Sequence, residues 1–189
     1  MQKLGKGGIT LIELAVVMAI VAIMAVFMAP AIGEWLDNFR IRQAAREVSS
    51  DLQFAKMKAI STGRFCTTLF NNNVGGTQFD YVIFPDYDND RVLDSVDVGD
   101  LDNDGDQENE TTDIFKRVRL SDAFRNVSFD TSQSVDGITF PDNKIAFNSQ
   151  GFPSTGFGGT VYLKNTKNNK SYKVVVASAG RIRIEEYQP

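Results

Sequence analysis

Residues 7–30 read GGITLIELAVVMAIVAIMAVFMAP, an apolar run that decides the fold of the chain. Within residues 9–29, Glu13 is the only charged side chain. At about 1.5 Å of rise per residue, this run makes a helix of roughly 31 Å, which matches the ~30 Å hydrocarbon core of a membrane. We therefore expect residues 9–29 to span a membrane. The preceding Lys3 and Lys6 favour a cytoplasmic amino terminus, which puts the rest of the chain outside.

Three interpretations of this segment differ in what becomes of it. A secretory signal peptide has a basic start, an apolar run and a small-x-small cleavage site, which Ala29, Pro30 and Ala31 provide. Against this interpretation, the apolar run is long and the helical pattern continues past that site. A plain membrane anchor is the second interpretation, but it leaves Glu13 without a role. The third interpretation depends on the residues around Glu13.

The stretch GITLIE, residues 8–13, resembles the prepilin processing motif of type IV pilins and type II secretion pseudopilins. The resemblance implies that prepilin peptidase removes a leader of residues 1–8 by cutting between Gly8 and Ile9, and that Ile9 is then N-methylated. The family usually has phenylalanine at the position of Ile9 and tolerates other apolar residues there. It also has glutamate as the fifth mature residue, which is Glu13 here.

An ionised Glu13 at membrane depth needs a partner, since burying an unpaired carboxylate is costly. The resemblance implies that this partner is the amino-terminal amine of a neighbouring subunit, which would set the register as a subunit enters a filament. A local role is also predicted, because Thr10 and Glu13 have the spacing of a capping box. The two roles are compatible.

The helical period resumes after Pro30, a residue that invites a kink. Charged residues occupy much of the other face, so residues 30–62 are predicted to form an amphipathic half-helix that packs against something. Gly63 is its predicted end. The apolar stripe comprises Ile41, Ala45, Val48, Leu52, Ala55 and Ala59.

Beyond Gly63 the apolar period changes from 3.6 to 2, which is typical of strands. The predicted strands cover residues 64–70, 77–84, 114–120, 127–130, 138–140, 144–147, 160–165, 171–178 and 181–186. The predicted fold class is α+β. A long amino-terminal helix, with a membrane-spanning half and an amphipathic half, packs on an antiparallel β-sheet or a two-sheet head of residues 63–189.

This outline resembles the pilin fold, and three later stretches narrow the resemblance to the GspH/FimT group of minor pilins and pseudopilins. They are LQFAKMKAISTGRFCTTL (52–69), FNSQGFP (147–153) and VVVASAGRIRI (174–184). That group is structural: its members lie at or near the tip of a filament and help to start its assembly. The resemblance implies a single-pass protein of the bacterial inner membrane with a periplasmic head, and other pilins or pseudopilins as its partners.

Composition agrees with a protein that is not an enzyme. The 189 residues include no histidine and a single cysteine, Cys66. The commonest general base and transition-metal ligand is therefore absent, and a lone cysteine is more often a small core residue than a nucleophile. The sequence contains no evident nucleophile–base pair, phosphate loop or His/Cys metal cluster. We expect no enzymatic activity and no required cofactor.

An acidic insertion is predicted at residues 84–113. Between Asp86 and Asp113 there are twelve acids and one base, a local charge of −11 in a chain whose net charge is −4. Residues 100–105 match the D-x-D-x-D-G start of an EF-hand-type calcium loop, although Thr111 stands where a bidentate glutamate is needed. The alternative is a solvated acidic loop that repels its neighbours. The predicted Ca²⁺ ligands are Asp100, Asp102, Asp104, Asp106 and Glu108.

In the carboxy-terminal stretch GRIRIEE, the period of two puts Arg181 and Arg183 on one face and Ile182 and Ile184 on the other. We expect the isoleucines to be core residues. The arginines have three interpretations: solvated side chains, a contact to an acidic surface of an adjacent subunit, or a DNA contact. The last follows from the resemblance, because a basic GRxR end has been linked to DNA binding by some FimT-like minor pilins. Two arginines are few against the several phosphate contacts that usable affinity requires.

The sequence therefore predicts a minor pilin or pseudopilin that helps to initiate or cap a type II secretion pseudopilus or a type IV pilus. The alternative is a DNA-binding minor pilin that acts in natural transformation. Both machines use the same amino-terminal segment, so the sequence does not separate them.

Overall fold

The computed structural model describes residues 10–87, 90–93, 114–154 and 156–188. Helix α1 runs from Leu11 to Thr62 as one continuous helix, so Pro30 does not interrupt it. Gly63 follows with a φ of 70°, in the left-handed region that glycine adopts without a Cβ clash. The predicted end of the helix is confirmed.

Within the described residues, the head contains two four-stranded antiparallel sheets. The first has the strand order β3-β2-β1-β5, formed by β1 (Phe65–Val74), β2 (Thr77–Asp86), β3 (Lys116–Val118) and β5 (Lys144–Phe147). The second has the order β4-β6-β7-β8, formed by β4 (Val127–Phe129), β6 (Gly159–Asn165), β7 (Ser171–Val176) and β8 (Ile182–Tyr187). The α+β prediction is confirmed, and the head takes the two-sheet form.

The second half of α1 packs against both sheets, chiefly against β1, β6, β7 and β8. The predicted apolar stripe is its buried face, because all six side chains are at most 1 % exposed: Ile41, Ala45, Val48, Leu52, Ala55 and Ala59. From β1, Phe70 stacks on Phe140 and meets the rings of Phe129 and Tyr81. One buried apolar cluster thus joins the helix to both sheets.

Two predicted strands differ from the observed ones. Residues 138–140 form only a single bridge, between Ile138 and Val161, before a 3₁₀ turn at Pro141–Asn143. Proline has no N–H to extend a ladder, so the chain turns there. The strand predicted at residues 114–120 is shorter in the structure, where β3 covers only Lys116–Val118. The short helix α2 (Leu120–Ala123) begins at the last residue of the predicted strand.

The first half of α1 is not covered by the head. Its large apolar side chains from Leu11 to Val26 are each more than half exposed. A continuous exposed apolar surface of this kind marks a surface for protein or lipid contact. In the part of the chain that the structure describes, no helix meets the length and apolarity expected of a membrane span.

Replacing Gly63 by alanine is expected to lower the free energy of unfolding by about 1 kcal/mol, because a left-handed φ strains a residue that carries a Cβ. A Cβ at this position would meet no heavy atom within 4 Å, so the cost comes from the backbone alone. Gly63→Asn is the matched control, since asparagine tolerates this conformation better. Denaturant unfolding of the full chain in detergent measures both; equal losses would contradict the backbone explanation.

Candidate assembly site and the joint between helix and head

Glu13 closes a capping box at the start of α1. The Thr10 N–H donates to Glu13 Oε2 at 2.8 Å, and the Thr10 hydroxyl donates to the same oxygen at 2.9 Å. In return, the Glu13 N–H donates to the Thr10 hydroxyl at 3.3 Å. The predicted local role of Glu13 is confirmed. Among the residues that the structure describes, no donor reaches the other carboxylate oxygen, Oε1, so the cap leaves an acceptor for a further partner.

The predicted cleavage site lies outside the described residues. Gly8 and Ile9 both precede Thr10, the first residue that the structure describes. Cleavage between them and methylation of Ile9 therefore stay predictions.

Asp37 joins the helix to the turn between β6 and β7. Its side chain is buried, with the Arg40 guanidinium at 3.0 Å and the Lys167 ammonium at 2.9 Å. The Asn165 amide donates to the Asp37 carbonyl at 3.0 Å. At the next residue of the helix, Asn38, the side-chain oxygen accepts a hydrogen bond from the Asn168 amide at 2.8 Å. These contacts fix the turn against α1. Sequence reasoning missed them, although Asp37 lies one helical turn before Ile41 on the buried stripe.

A pH-dependent contribution to stability follows from Asp37. The hydrogen bond from Lys167, aided by Arg40, holds the pKa of this carboxyl below its ordinary range. A carboxyl with a lowered pKa stabilises the fold fully above its unfolded pKa of about 3.9, and the contribution is lost as pH falls through the lower folded value. Asp37→Asn is therefore expected to lower the melting temperature at neutral pH, with a difference from wild type that shrinks in acid.

The check is a series of thermal melts of wild type and Asp37→Asn from neutral to acid pH. Glu34→Gln is the matched control, since Glu34 is an exposed carboxyl on the same helix. A difference for Asp37→Asn that stays constant with pH would contradict the role of the charge.

A second polar joint connects α1 to the first sheet. The hydroxyl of buried Tyr81 on β2 donates to Asp51 at 2.7 Å, and the Lys116 ammonium on β3 lies 2.7 Å from the same carboxylate. Glu47 lies 3.4 Å from Lys116. Burial, followed by the charge of Asp51, raises the pKa of the Tyr81 hydroxyl, which keeps it a neutral donor. The joint holds β3, the first strand after the acidic residues 86–113, against α1.

The carboxy-terminal arginines are both exposed, on or beside the edge strand β8. The Arg183 guanidinium lies 3.6 Å from Glu185, which also pairs with Lys173 at 3.1 Å. Ile182 packs against the core, as expected. Ile184 is 36 % exposed, so the prediction that it is a core residue is wrong. An edge strand has fewer neighbours to cover its side chains, which accounts for this exposure.

The predicted calcium ligands Asp100, Asp102, Asp104, Asp106 and Glu108 lie outside the described residues. Among the residues that are described, no group of three or more His, Cys, Asp or Glu side chains is placed to hold a metal ion. The calcium site stays a prediction.

Millimolar Ca²⁺ is expected to raise the melting temperature of the protein, because a bound cation offsets the repulsion among the twelve acids of the insertion. The variant Asp102→Ala with Asp104→Ala should abolish the rise, and Mg²⁺ at the same concentration serves as the ionic-strength control. A melting temperature of wild type that does not change with Ca²⁺ would refute the site.

Cys66 is a core residue rather than a nucleophile. It is buried, and burial raises the pKa of its thiol to about 12. A thiol with so high a pKa has almost no thiolate at neutral pH, and the thiolate is the reactive form.

Comparison with known proteins gives a family. The family model for the type II transport protein GspH matches residues 44–180, and the model of the prokaryotic N-terminal methylation motif matches residues 3–29. No curated protein matches the chain. Among solved structures, the type IV minor pilin FimU of Pseudomonas aeruginosa is similar in two crystal forms. In the first, the sequences are 16 % identical, the match covers 80 % of this chain and 92 % of the FimU chain in the crystal, and the TM-score is 0.46. The other is 14 % identical, covers 76 % and 91 % and has a TM-score of 0.45.

The two family models match different parts of the molecule. The methylation motif ends at residue 29, within the exposed first half of α1, and the GspH model covers α1 from residue 44 and the head through the turn before β8. The GspH model matches well over half of the residues of this chain. The chain therefore belongs to the GspH family of minor pilins and pseudopilins, a structural family of type II secretion systems and type IV pili.

Proposed function

We propose that this chain is a minor pilin or pseudopilin that helps to initiate or cap a type II secretion pseudopilus or a type IV pilus. The observation that carries the proposal is the long uncovered apolar half of α1, which begins at Leu11, has Glu13 in its first turn and continues into a half-helix packed on a folded head. An apolar helix of this kind needs lipid or other helices around it. The inner membrane provides the lipid before assembly, and a filament core of packed subunit helices provides the other helices afterwards.

The proposed sequence of events starts at the leader. Prepilin peptidase cuts after Gly8, and the new amino-terminal Ile9 is methylated. The first half of α1 then holds the chain in the bacterial inner membrane as a single pass, with the head in the periplasm. On assembly, the Glu13 carboxylate forms an ion pair with the protonated amino-terminal amine of a neighbouring subunit through its Oε1 atom. The match to the N-terminal methylation motif over residues 3–29 supports these steps.

The experiment that tests the proposal is deletion of the gene, with surface pili and exoprotein secretion measured in the same cultures. Lost pili with normal secretion assign the chain to a type IV pilus. Normal pili with blocked secretion assign it to a type II secretion pseudopilus. If both remain normal, the proposed role in assembly is wrong.

DNA binding in natural transformation is the alternative function, favoured by the exposure of both Arg181 and Arg183. The pairing of Arg183 with Glu185 and the net charge of −4 weigh against it. A salt-dependent mobility shift of duplex DNA, lost in Arg181→Ala with Arg183→Ala, would support it. Arg125→Ala is the matched control, because Arg125 is an exposed arginine elsewhere on the head.

A further inference from the structure

Two aromatic side chains are exposed where α1 meets the head. Trp35, the only tryptophan of the chain, stacks on Phe39 with ring centroids 5.6 Å apart and planes 14° apart. Trp35 is 65 % exposed and Phe39 is 41 % exposed. Trp35 precedes the buried Asp37 by two residues, and Phe39 precedes the buried Ile41 by two; two residues are about 200° around a helix. The aromatic pair therefore lies on the face of α1 opposite the head.

The aromatic pair lies at the same height along α1 as one end of the head. Asp37 and Asn38, which fall between the two aromatic residues, are the residues bonded to the turn between β6 and β7. The head presents three exposed cations at this level. Lys167 and Lys170 lie on the turn itself, and Arg125 precedes Asn126, whose carbonyl accepts from the Thr166 N–H of the turn at 2.9 Å.

The acids at this end are mostly neutralised. Asp37 is held by Arg40 and Lys167, and Glu186 lies 3.7 Å from Lys170. Glu34 is exposed on the helix. Arg125 has no acid partner among the described residues, and Asp37 is shared by two cations. The four cations named at this end therefore exceed its three acids, which leaves a net charge of +1.

The distribution of charged residues along α1 also places a membrane surface near Trp35. Residues 14–33 contain no charged side chain, and Glu13 and Glu34 stand on either side of them. Twenty residues at about 1.5 Å each make a helix of roughly 30 Å, the thickness of a bilayer's hydrocarbon core. With residues 14–33 in this core, Glu13 lies at the cytoplasmic surface, where ionisation costs little, and Trp35 lies just beyond the outer surface. This span lies four to five residues nearer the carboxy terminus than the predicted span of residues 9–29, so Glu13 moves from membrane depth to the surface.

We propose that Trp35 and Phe39, together with the basic end of the head, form an anchor that holds the head against the outer surface of an anionic phospholipid bilayer before the subunit enters a filament. The inference rests on the proposed membrane-inserted state. Aromatic rings, tryptophan above all, prefer the interface between headgroups and acyl chains. Basic side chains beside it are attracted to anionic headgroups. The aromatic pair on one side of α1 and the head on the other side then contact the same lipid surface. These contacts fix the depth of α1 in the bilayer and the position of the head.

The test uses Trp35 as its own reporter. The full chain is placed in nanodiscs that contain phosphatidylglycerol, and tryptophan fluorescence is recorded with lipids brominated near the headgroup end or near the middle of the acyl chain. We expect emission shifted to shorter wavelength than for tryptophan in water, with most of the quenching from the shallow bromines. In Trp35→Phe with Phe39→Trp, the reporter moves out by one helical turn, and lipid quenching should weaken.

A charge variant tests the basic end. Arg125→Glu with Lys170→Glu leaves Lys167 in place, since Lys167 holds Asp37. We expect the emission of Trp35 to shift toward longer wavelength in this variant when the nanodisc contains phosphatidylglycerol, and to match wild type when it contains phosphatidylcholine alone. Equal emission from the variant and wild type in phosphatidylglycerol would overturn the role of the cations.

The outcomes separate this inference from the proposed function. A chain that alkaline carbonate removes from membranes is not inserted, and both proposals then fail. A chain that stays inserted, but whose Trp35 is quenched by aqueous iodide and not by brominated lipid, overturns the anchor alone. Quenching by the deep bromines above the shallow ones overturns the register of residues 14–33. Loss of filament incorporation by Trp35→Ala without any lipid quenching would assign this face to a neighbouring subunit instead.

Discussion

Replacing Glu13 by glutamine is expected to leave the chain folded, inserted and processed, yet to remove it from the assembled filament. The structure shows why glutamine is the informative substitution. The capping box needs an acceptor on residue 13 for the N–H of Thr10, and a glutamine carbonyl oxygen provides it. An amine of a neighbouring subunit needs a negative charge, which glutamine lacks. Glu13→Ala, which removes both, should fail in the same way.

Thr10→Ala is the matched control. It removes the hydroxyl that caps α1 but keeps the Glu13 carboxylate, and losing an N-cap costs about 1 kcal/mol of helix stability. This variant should enter filaments nearly as well as wild type. The measurements are the amino-terminal mass, which reports cleavage and methylation, and the amount of the chain that copurifies with sheared filaments or a cross-linked pseudopilus. Wild-type incorporation of Glu13→Gln would show that the carboxylate acts only as a local cap.

The helix and most strands could be predicted because the spacing of apolar residues within each segment indicates its secondary structure. Six apolar residues spaced by three or four along α1 all lie on the buried face, since only one side of a helix can contact the sheets. The helix end at Gly63 was equally clear. Residues 138–140 look like a strand by the same local rule. Whether a strand forms, however, depends on a partner edge, which the residues themselves do not specify.

The two polar joints could not be predicted, because they connect residues far apart in the chain. The Asp37 carbonyl accepts from Asn165, 128 residues away, and Asp51 accepts from Lys116, 65 residues away. An aspartate on a helix has no feature in sequence that distinguishes a solvated side chain from one that binds another element. The arginines of β8 illustrate the converse: their alternation with isoleucines was evident, but the exposure of Ile184 depends on the edge position of the strand.

Leu52→Ala is expected to lower the free energy of unfolding by roughly 2–5 kcal/mol, the usual cost of removing a buried leucine side chain. Leu52 is 1 % exposed and belongs to the cluster that joins α1 to both sheets. A loss of this size is a large part of the ~5–15 kcal/mol that stabilises a typical domain. It should lower the melting temperature by on the order of 10 °C. The measurement is thermal and denaturant unfolding of the full chain in detergent.

Met57→Ala is the matched control, because Met57 lies on the same helix but is 68 % exposed. Alanine is at least as good a helix former as methionine, so this variant should stay within about 0.5 kcal/mol of wild type. A large difference between the two variants would show that α1 is stabilised through one face by the head rather than by its own helix propensity. Equal, small losses would mean that the second half of α1 is stable without the sheets, and that the head moves independently of the helix.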